Sequence, residues 1–139
     1  MKKKAIIVSI KGLKLSKREE QLLSEEKPWG VILFKRNIKS LNQIKNLIKV
    51  IKKKTNDRNF PILIDEEGLS VSRLRKIINH NFNANFFGRL FSIDKKLSIK
   101  FYTKYLNSLC KKLLNIGFNI NTIPVLDVLR VNTNKVIGN

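Results

Sequence analysis

The sequence is short of sulfur and has no long apolar run. Its one cysteine, Cys110, excludes an internal disulfide and fits a reducing compartment. No segment approaches the roughly 20 consecutive apolar residues that a membrane-spanning helix needs. These absences argue against a disulfide-stabilised secreted scaffold, and they predict a cytoplasmic protein without a membrane partner.

Negative charge is also scarce: 10 Asp and Glu stand against 29 Lys and Arg, and the formal net charge is +19. Such a charge is one sign of a nucleic-acid-binding surface. The basic residues are mostly lysines spread over the solvent-facing positions of predicted helices, and neither an arginine-rich arm nor zinc-ligand spacing accompanies them. We therefore expect only weak, salt-sensitive and nonspecific binding of nucleic acids.

The apolar residues that are present suffice for one domain, residues 1–139. Four apolar segments are typical of buried strands, and the first three are continuously apolar, as parallel strands covered on both faces require. Helical patterns separate them, and this alternation predicts an α/β fold with right-handed crossovers and a parallel sheet. The predicted strands are residues 5–10, 30–34, 61–64 and 118–123.

Three helices are predicted from capping residues and apolar spacing. Ser16 and Glu19 form a capping-box pair that begins the first helix, which ends before Pro28. The third helix covers about residues 94–116, with Gly117 as its C-terminal cap. Residues 66–93 lack a clean period and are predicted to form a long loop with short elements. The apolar stripes are Leu41, Ile44, Leu47, Ile48 and Ile51 on the second helix, and Leu97, Phe101, Tyr105, Leu109 and Leu113 on the third.

Polar residues follow three of the predicted strands, at the edge of the sheet where ligands bind in such folds. Asp65 comes directly after the third strand, and Arg73 follows eight residues later. A carboxylate facing an arginine suits a ligand rich in hydroxyl groups, although a plain ion pair uses the same residues. After the second strand, Arg36 and Asn37 are expected to hold loops together. Asp127, after the fourth strand, is expected either to bond loop amides or to contact a ligand.

His80 and Cys110 are the remaining candidates for chemistry. His80 lies in the polar sequence NHN without a Cys, His or acid at ligand spacing, which predicts a lone exposed side chain and no metal site. Cys110 follows Leu109 on the third helix and is predicted to be an inert thiol, buried or half-buried. The sequence contains no glycine-rich phosphate loop, nucleophile elbow or kinase signature.

Four segments of the sequence form a set of motifs in a fixed order. They are PWGVILFKRNI (28–38), PILIDEEGLSVSRLR (61–75), IGFNINTIPVLDV (116–128) and VIGN (136–139). Together they resemble the N-terminal barrel domain of family-3 glycoside hydrolases, in particular the bacterial cytoplasmic β-N-acetylhexosaminidases. The pattern of that family is approximately GVILFxRN, DQEGGRVQRL, GIDLxFAPVLDV and VIGDRSF.

The resemblance implies a (β/α)₈ barrel, of which this chain holds about the first four β/α units. It implies a retaining enzyme that releases terminal β-linked N-acetylglucosamine from peptidoglycan fragments, with no metal or organic cofactor. By the same resemblance, Asp65 and Arg73 fall on the family's sugar-binding residues and Asp127 on a motif aspartate. The chain has Leu69 and Ser70 where the family has Gly and Arg.

The resemblance also implies what the isolated chain does not do. The family's nucleophile and acid/base lie beyond residue 139, and a retaining glycosidase needs both. We therefore expect a truncated chain that is inactive alone, and that self-associates or pairs with a complementing C-terminal chain. The alternative function is a non-catalytic basic protein that binds nucleic acid, or binds sugar as a pseudoenzyme.

Overall fold

The protein contains a four-stranded parallel sheet whose strands lie side by side in the order in which they occur along the chain, with helices between them. The computed structural model describes residues 3–126 and 130–131. This arrangement confirms the predicted α/β class and the parallel sheet. The elements are β1 (Lys4–Ser9), α1 (Lys17–Glu25), β2 (Pro28–Leu33), a 3₁₀ turn (Lys35–Asn37), α2 (Leu41–Lys54), β3 (Ile62–Ile64), α3 (Ala84–Ile93), α4 (Lys95–Ile116) and β4 (Ile120–Asn121).

Helix α1 begins with the predicted capping box. The Ser16 hydroxyl accepts a hydrogen bond from the backbone N–H of Glu19, and the Glu19 carboxylate accepts one from the backbone N–H of Ser16 at 2.7 Å. Both bonds satisfy backbone donors that the first helical turn would otherwise leave unpaired. The prediction from these two residues is therefore confirmed.

The core lies between one face of the sheet and helices α1, α2 and α4. Alternate residues of β2 and β3 point to this face, and Val31, Leu33, Ile62 and Ile64 are fully buried. Each such side chain contributes about 1.5–3 kcal/mol when it leaves water. The helices contribute the buried residues Leu23, Ile44, Leu47, Ile48, Ile51, Leu109, Leu113 and Ile116.

Strand β1 is more exposed than its apolar sequence predicted. Ile6 and Ile7 are consecutive and so point to opposite faces of the sheet, yet they are 48% and 46% exposed. Val8 and Ile10, further along, reach the core. The prediction of a strand covered on both faces is wrong for the first half of β1. The strand lies at the edge of the described sheet, where β2 is its one strand neighbour.

Helix α3 lies at the end of residues 66–93, for which the sequence predicts a long loop with short elements but no defined helix. Its N-terminal residue follows Asn83, whose side chain accepts a hydrogen bond from the backbone N–H of Phe86 at 2.9 Å. The helix packs against α4 through a cluster of rings, including Phe87 and Tyr102 with centroids 4.7 Å apart. Ring packing of this kind stabilises the helix against α4.

Helix α4 has the bounds that the sequence predicts. Asp94 caps its N-terminus, and Gly117 follows its end with φ of 121°, a conformation that favours glycine. Leu109 and Leu113 are buried as expected, but Leu97 is 50% exposed and does not belong to the buried stripe. In the part of the chain that the structure describes, no helix has the length and apolar character needed to cross a membrane.

Candidate functional site

The candidate site lies where β2, β3 and β4 end. Asp65 follows β3 directly, and its Oδ2 lies 3.1 Å from Nη2 of Arg73, which belongs to the long loop after β3. Thr122, just after β4, donates from its hydroxyl to Asp65 Oδ1 at 3.4 Å. The Asp65 and Arg73 side chains are 18% and 30% exposed. The structure thus brings together the two residues that the sequence singles out, in a position that solvent reaches.

The Phe34 ring adds an aromatic surface to this edge. The guanidinium of Arg36 lies 4.7 Å from the ring centroid, and that of Arg73 lies 5.9 Å from it. Both distances fall within the range of a cation–π interaction. Nε of Arg73 is buried and has no hydrogen-bond partner among the described residues. The orientation of Arg73 therefore depends on Asp65, on the ring and on its own backbone.

Arg36 and Asn37 join this edge to the end of β1. Arg36 donates from Nε to the carbonyl of Ile10 at 3.1 Å and from Nη2 to Ser9 Oγ at 2.8 Å. Asn37 is fully buried, and its amide donates to the carbonyls of Ile10 and Gly12 at 3.0 and 2.8 Å. These bonds hold the loops after β1 and β2 together, and a side chain as buried as Asn37 does not reach a ligand.

Glu66 is fully buried, as Asn37 is, with 0% exposure. Its Oε1 accepts hydrogen bonds from Ser72 Oγ at 2.5 Å and from His80 Nε2 at 2.6 Å. Its Oε2 accepts from the backbone N–H groups of Arg73 and Leu74 at 2.8 and 2.9 Å. Burial raises the pKa of this carboxyl, but the hydrogen bonds outweigh burial and hold the pKa below its ordinary value.

His80 occupies the interior beside Glu66, so the prediction of a lone exposed histidine is wrong. It is 6% exposed, and its Nδ1 lies 2.8 Å from the hydroxyl of Tyr105 on α4. Burial, the negative charge of Glu66 and the neighbouring Tyr102 all raise the pKa of the Tyr105 hydroxyl. The partners of His80 lie 14 and 25 residues away along the chain. No local sequence pattern marks such contacts.

The turn that follows Glu66 accommodates the residues in which the chain departs from the family pattern. Glu67 donates from its backbone N–H to the carbonyl of Val71 at 2.8 Å. Gly68 has φ of 136°, in the region that favours glycine, whereas the φ of Leu69 is not positive. Leu69 replaces a family glycine, and its backbone is not strained by that replacement. Leu69 and Ser70 are both exposed.

The sequence predictions for Cys110 and Asp127 remain to be compared with the structure. Cys110 is exposed, so the prediction of a buried or half-buried thiol is wrong, because Leu109 rather than its neighbour points into the core. Asp127 lies outside the described residues. Among the residues that the structure does describe, no three His, Cys, Asp or Glu side chains are grouped to hold a metal ion.

A groove of about 450 Å³ has Arg73 among its lining residues. Its lining combines two serines with basic and apolar side chains. The basic side chains of this lining can only donate hydrogen bonds, and the serine hydroxyls can donate or accept them. The basic residues that line it are Lys35, Lys39, Arg73, Arg75 and Lys76.

Comparison with curated proteins finds relatives named β-hexosaminidase. One from Xanthomonas campestris pv. campestris (strain B100) is 27% identical over 133 residues, and one from Stenotrophomonas maltophilia (strain K279a) is 26% identical over 134 residues. Each alignment covers 96% of this chain and 39% of the relative. The chain therefore spans about two fifths of the length of these relatives. No protein-family model matches it.

Comparison with solved structures also finds proteins that match this chain over most of its length, among them structures of NagZ. Native NagZ from Neisseria gonorrhoeae superimposes with a TM-score of 0.83 at 26% identity, covering 91% of this chain and 37% of that protein. A second structure of NagZ, in complex with N-trifluoroacetyl-D-glucosamine, superimposes equally well. The resemblance to the N-terminal barrel domain of family-3 glycoside hydrolases is thus confirmed in sequence and in fold.

Proposed function

We propose that this chain, matched in sequence and fold to the N-terminal part of β-hexosaminidases, is the sugar-binding portion of a retaining glycoside hydrolase of that type. The substrate class is a glycan with terminal β-linked N-acetylglucosamine, and the proposal extends to peptidoglycan fragments in the cytoplasm. The observation that carries it is the Asp65–Arg73 pair, 3.1 Å apart at the end of β3. Sites at the carboxyl ends of barrel strands are where such enzymes bind their substrates.

The two side chains have complementary chemistry for a sugar. The Asp65 carboxylate accepts hydrogen bonds from hydroxyl groups, and the Arg73 guanidinium donates to hydroxyl or carbonyl oxygens. Asp65 is also held by Thr122 on its other oxygen, which fixes the direction in which the carboxylate faces. Phe34 supplies an apolar surface against which Arg73 lies. The proposed role of the pair is to hold the terminal sugar.

Binding is separate from hydrolysis in this proposal. A retaining mechanism needs a carboxylate nucleophile and an acid/base about 5–5.5 Å apart. Glu66, the acid next to Asp65, is fully buried and accepts four hydrogen bonds. Its carboxylate is therefore not available to a substrate. We propose that these 139 residues bind the sugar without cleaving it, and that the catalytic groups come from a complementing part of the enzyme outside them.

The direct experiment is to titrate N-acetylglucosamine into the ¹⁵N-labelled chain and follow amide shifts by NMR. Asp65→Asn should weaken binding by about tenfold to a hundredfold, since hydrogen bonds to a charged acceptor contribute about 1.5–3 kcal/mol. Asp57→Asn is the matched control, because Asp57 is also ion-paired, to Lys3 at 2.7 Å, but precedes β3. Absence of any shift in the unmodified chain at millimolar sugar would contradict the proposal.

Hydrolysis is tested on the same preparation. A nitrophenyl N-acetylglucosaminide should release no nitrophenol above background when the chain is alone. Release by these 139 residues alone would contradict the assignment of the catalytic groups to a part of the enzyme outside them.

A second candidate, the binding of polyanions, is favoured by a separate basic groove between the C-terminal ends of α2 and α4. Its volume is about 600 Å³, and one acidic residue, Asp57, is among its lining residues. Binding to DNA that persists well above physiological ionic strength would favour this function, whereas binding lost at that salt would mark it as nonspecific. The basic residues are Lys45, Lys49, Lys52, Lys53 and Arg58.

A further inference from the structure

The loop that carries Arg73 is organised around a buried carboxylate. Glu66 and Arg73 are seven residues apart, and Glu66 Oε2 accepts the backbone N–H groups of Arg73 and Leu74 at 2.8 and 2.9 Å. Ser72 adds a third bond, through its hydroxyl. Three consecutive residues of the loop are thus bonded to a single side chain. The peptide planes on both sides of the Arg73 Cα are fixed by these bonds.

Glu66 is itself fixed to the sheet. Its backbone N–H donates to Asn121 Oδ1 at 2.9 Å, and its carbonyl accepts from Asn121 Nδ2 at 3.1 Å. Asn121 belongs to β4, next to Thr122, whose hydroxyl contacts Asp65. Through the Glu66 carboxylate, the position of Arg73 is therefore fixed relative to β3 and β4, the same two strands that position Asp65.

The remaining bond to Glu66 connects it to helix α4. An ionised carboxylate only accepts hydrogen bonds, so the bond of 2.6 Å requires that Nε2 of His80 carry a proton. The other ring nitrogen of His80 lies 2.8 Å from the Tyr105 hydroxyl. A continuous series of hydrogen bonds thus runs from α4 through His80 and Glu66 to the backbone of Arg73.

We propose that Glu66 is a positioning residue for the sugar site, which holds Arg73 against Asp65, and that His80 and Tyr105 extend this support to α4. The inference rests on the function proposed above for the Asp65–Arg73 pair. It explains why an acid stands in an interior position of a chain with few acids. The carboxylate has four donors to satisfy, which a neutral side chain of the same length satisfies less well.

The test replaces Glu66 with Gln, which has the same shape but one hydrogen-bond-accepting oxygen instead of two. In the full chain, amide hydrogen exchange at Arg73 and Leu74 should become about fivefold to tenfold faster, and the buried Nε–H of Arg73 should lose its protection from exchange. The amide of Ile48, buried in α2, reports the general loss of stability that this substitution also causes, and the acceleration at Arg73 and Leu74 should exceed the acceleration there. Equal acceleration at Ile48 would show a general loss of stability and overturn the proposal, as would unchanged exchange at Arg73.

If Glu66→Gln does not fold, a second variant tests whether the hydrogen bonds that begin on α4 position Arg73. Tyr105→Phe removes the hydroxyl that contacts His80 and should speed exchange at Arg73 by about twofold to threefold. Its matched control is Tyr102→Phe, one turn earlier on α4, where the ring packs on Phe87. Identical exchange at Arg73 in the two variants would overturn the connection to α4.

Sugar binding separates this inference from the proposed function. If the unmodified chain binds N-acetylglucosamine, Glu66→Gln should weaken that binding by about tenfold while Asp65 remains in place. If the unmodified chain binds no sugar, the proposed function fails, and the exchange rates still decide whether Glu66 positions Arg73. Undiminished sugar affinity in a folded Glu66→Gln variant would overturn the positioning role.

Discussion

Replacing Glu66 with glutamine should remove a contribution to stability that depends on pH. The hydrogen bonds to the buried carboxylate hold the pKa of Glu66 in the folded chain below the ordinary value of 4.5, although burial alone raises it. A carboxyl whose pKa is lower in the folded state stabilises that state above its unfolded pKa. The stabilisation is complete above about pH 4.5 and is lost as the pH falls through the folded-state pKa.

The size of this contribution to the free energy of unfolding follows from the hydrogen bonds and the burial of Glu66. Each of the four bonds to Glu66 gains about 1 kcal/mol when the acceptor is charged rather than neutral, or about 4 kcal/mol together. Enclosing the charge at 0% exposure opposes this by several kcal/mol. A net contribution of about 1–2 kcal/mol remains. The Glu66→Gln variant should therefore unfold at lower urea than the unmodified chain at pH 7, by a free energy of that size.

Urea unfolding of the unmodified chain and of Glu66→Gln, at pH 7 and at pH 3.5, measures the difference between their free energies of unfolding. Far-UV circular dichroism and the fluorescence of Trp29, the single tryptophan, should give coincident transitions if unfolding is two-state. The difference in unfolding free energy between the two proteins should be largest at pH 7 and should shrink at pH 3.5, because protonation then neutralises Glu66, whereas glutamine is neutral at both pH values. Equal stability at pH 7, or a gap that grows on acidification, would refute the reasoning.

Two further predictions concern the sheet. Gly30→Ala should destabilise the chain by about 1–3 kcal/mol in urea unfolding, because the added Cβ would lie 2.9 Å from Pro61 Cβ. Gly88→Ala, with nothing within 4 Å of the new Cβ, should be neutral or stabilising, and a similar loss in both would contradict the packing argument. Ile6 and Ile7 on β1 should drive concentration-dependent association in light scattering, and Ile7→Lys should reduce it. A clean monomer before substitution would contradict this.

The amino-acid sequence by itself determined the elements whose signals are local. The capping pair Ser16 and Glu19, the acid Asp94 and the glycine Gly117 act on residues within one helical turn, so the beginnings of α1 and α4 and the end of α4 could be predicted. The position of Asp65 at the end of an apolar strand is equally local. The alternation of apolar strands with helical patterns predicted the α/β class, and Asp65 and Arg73 could be singled out because they follow β3.

Only the tertiary structure decided the surroundings of the polar residues. His80 is buried because Glu66 and Tyr105, 14 and 25 residues away, satisfy both of its ring nitrogens. Ile7 is half exposed although its strand is as apolar as β3, because strand order determines which strands lie at an edge. Burial depends on partners that folding brings together from distant positions, and a sequence pattern records only what lies within a few residues of itself.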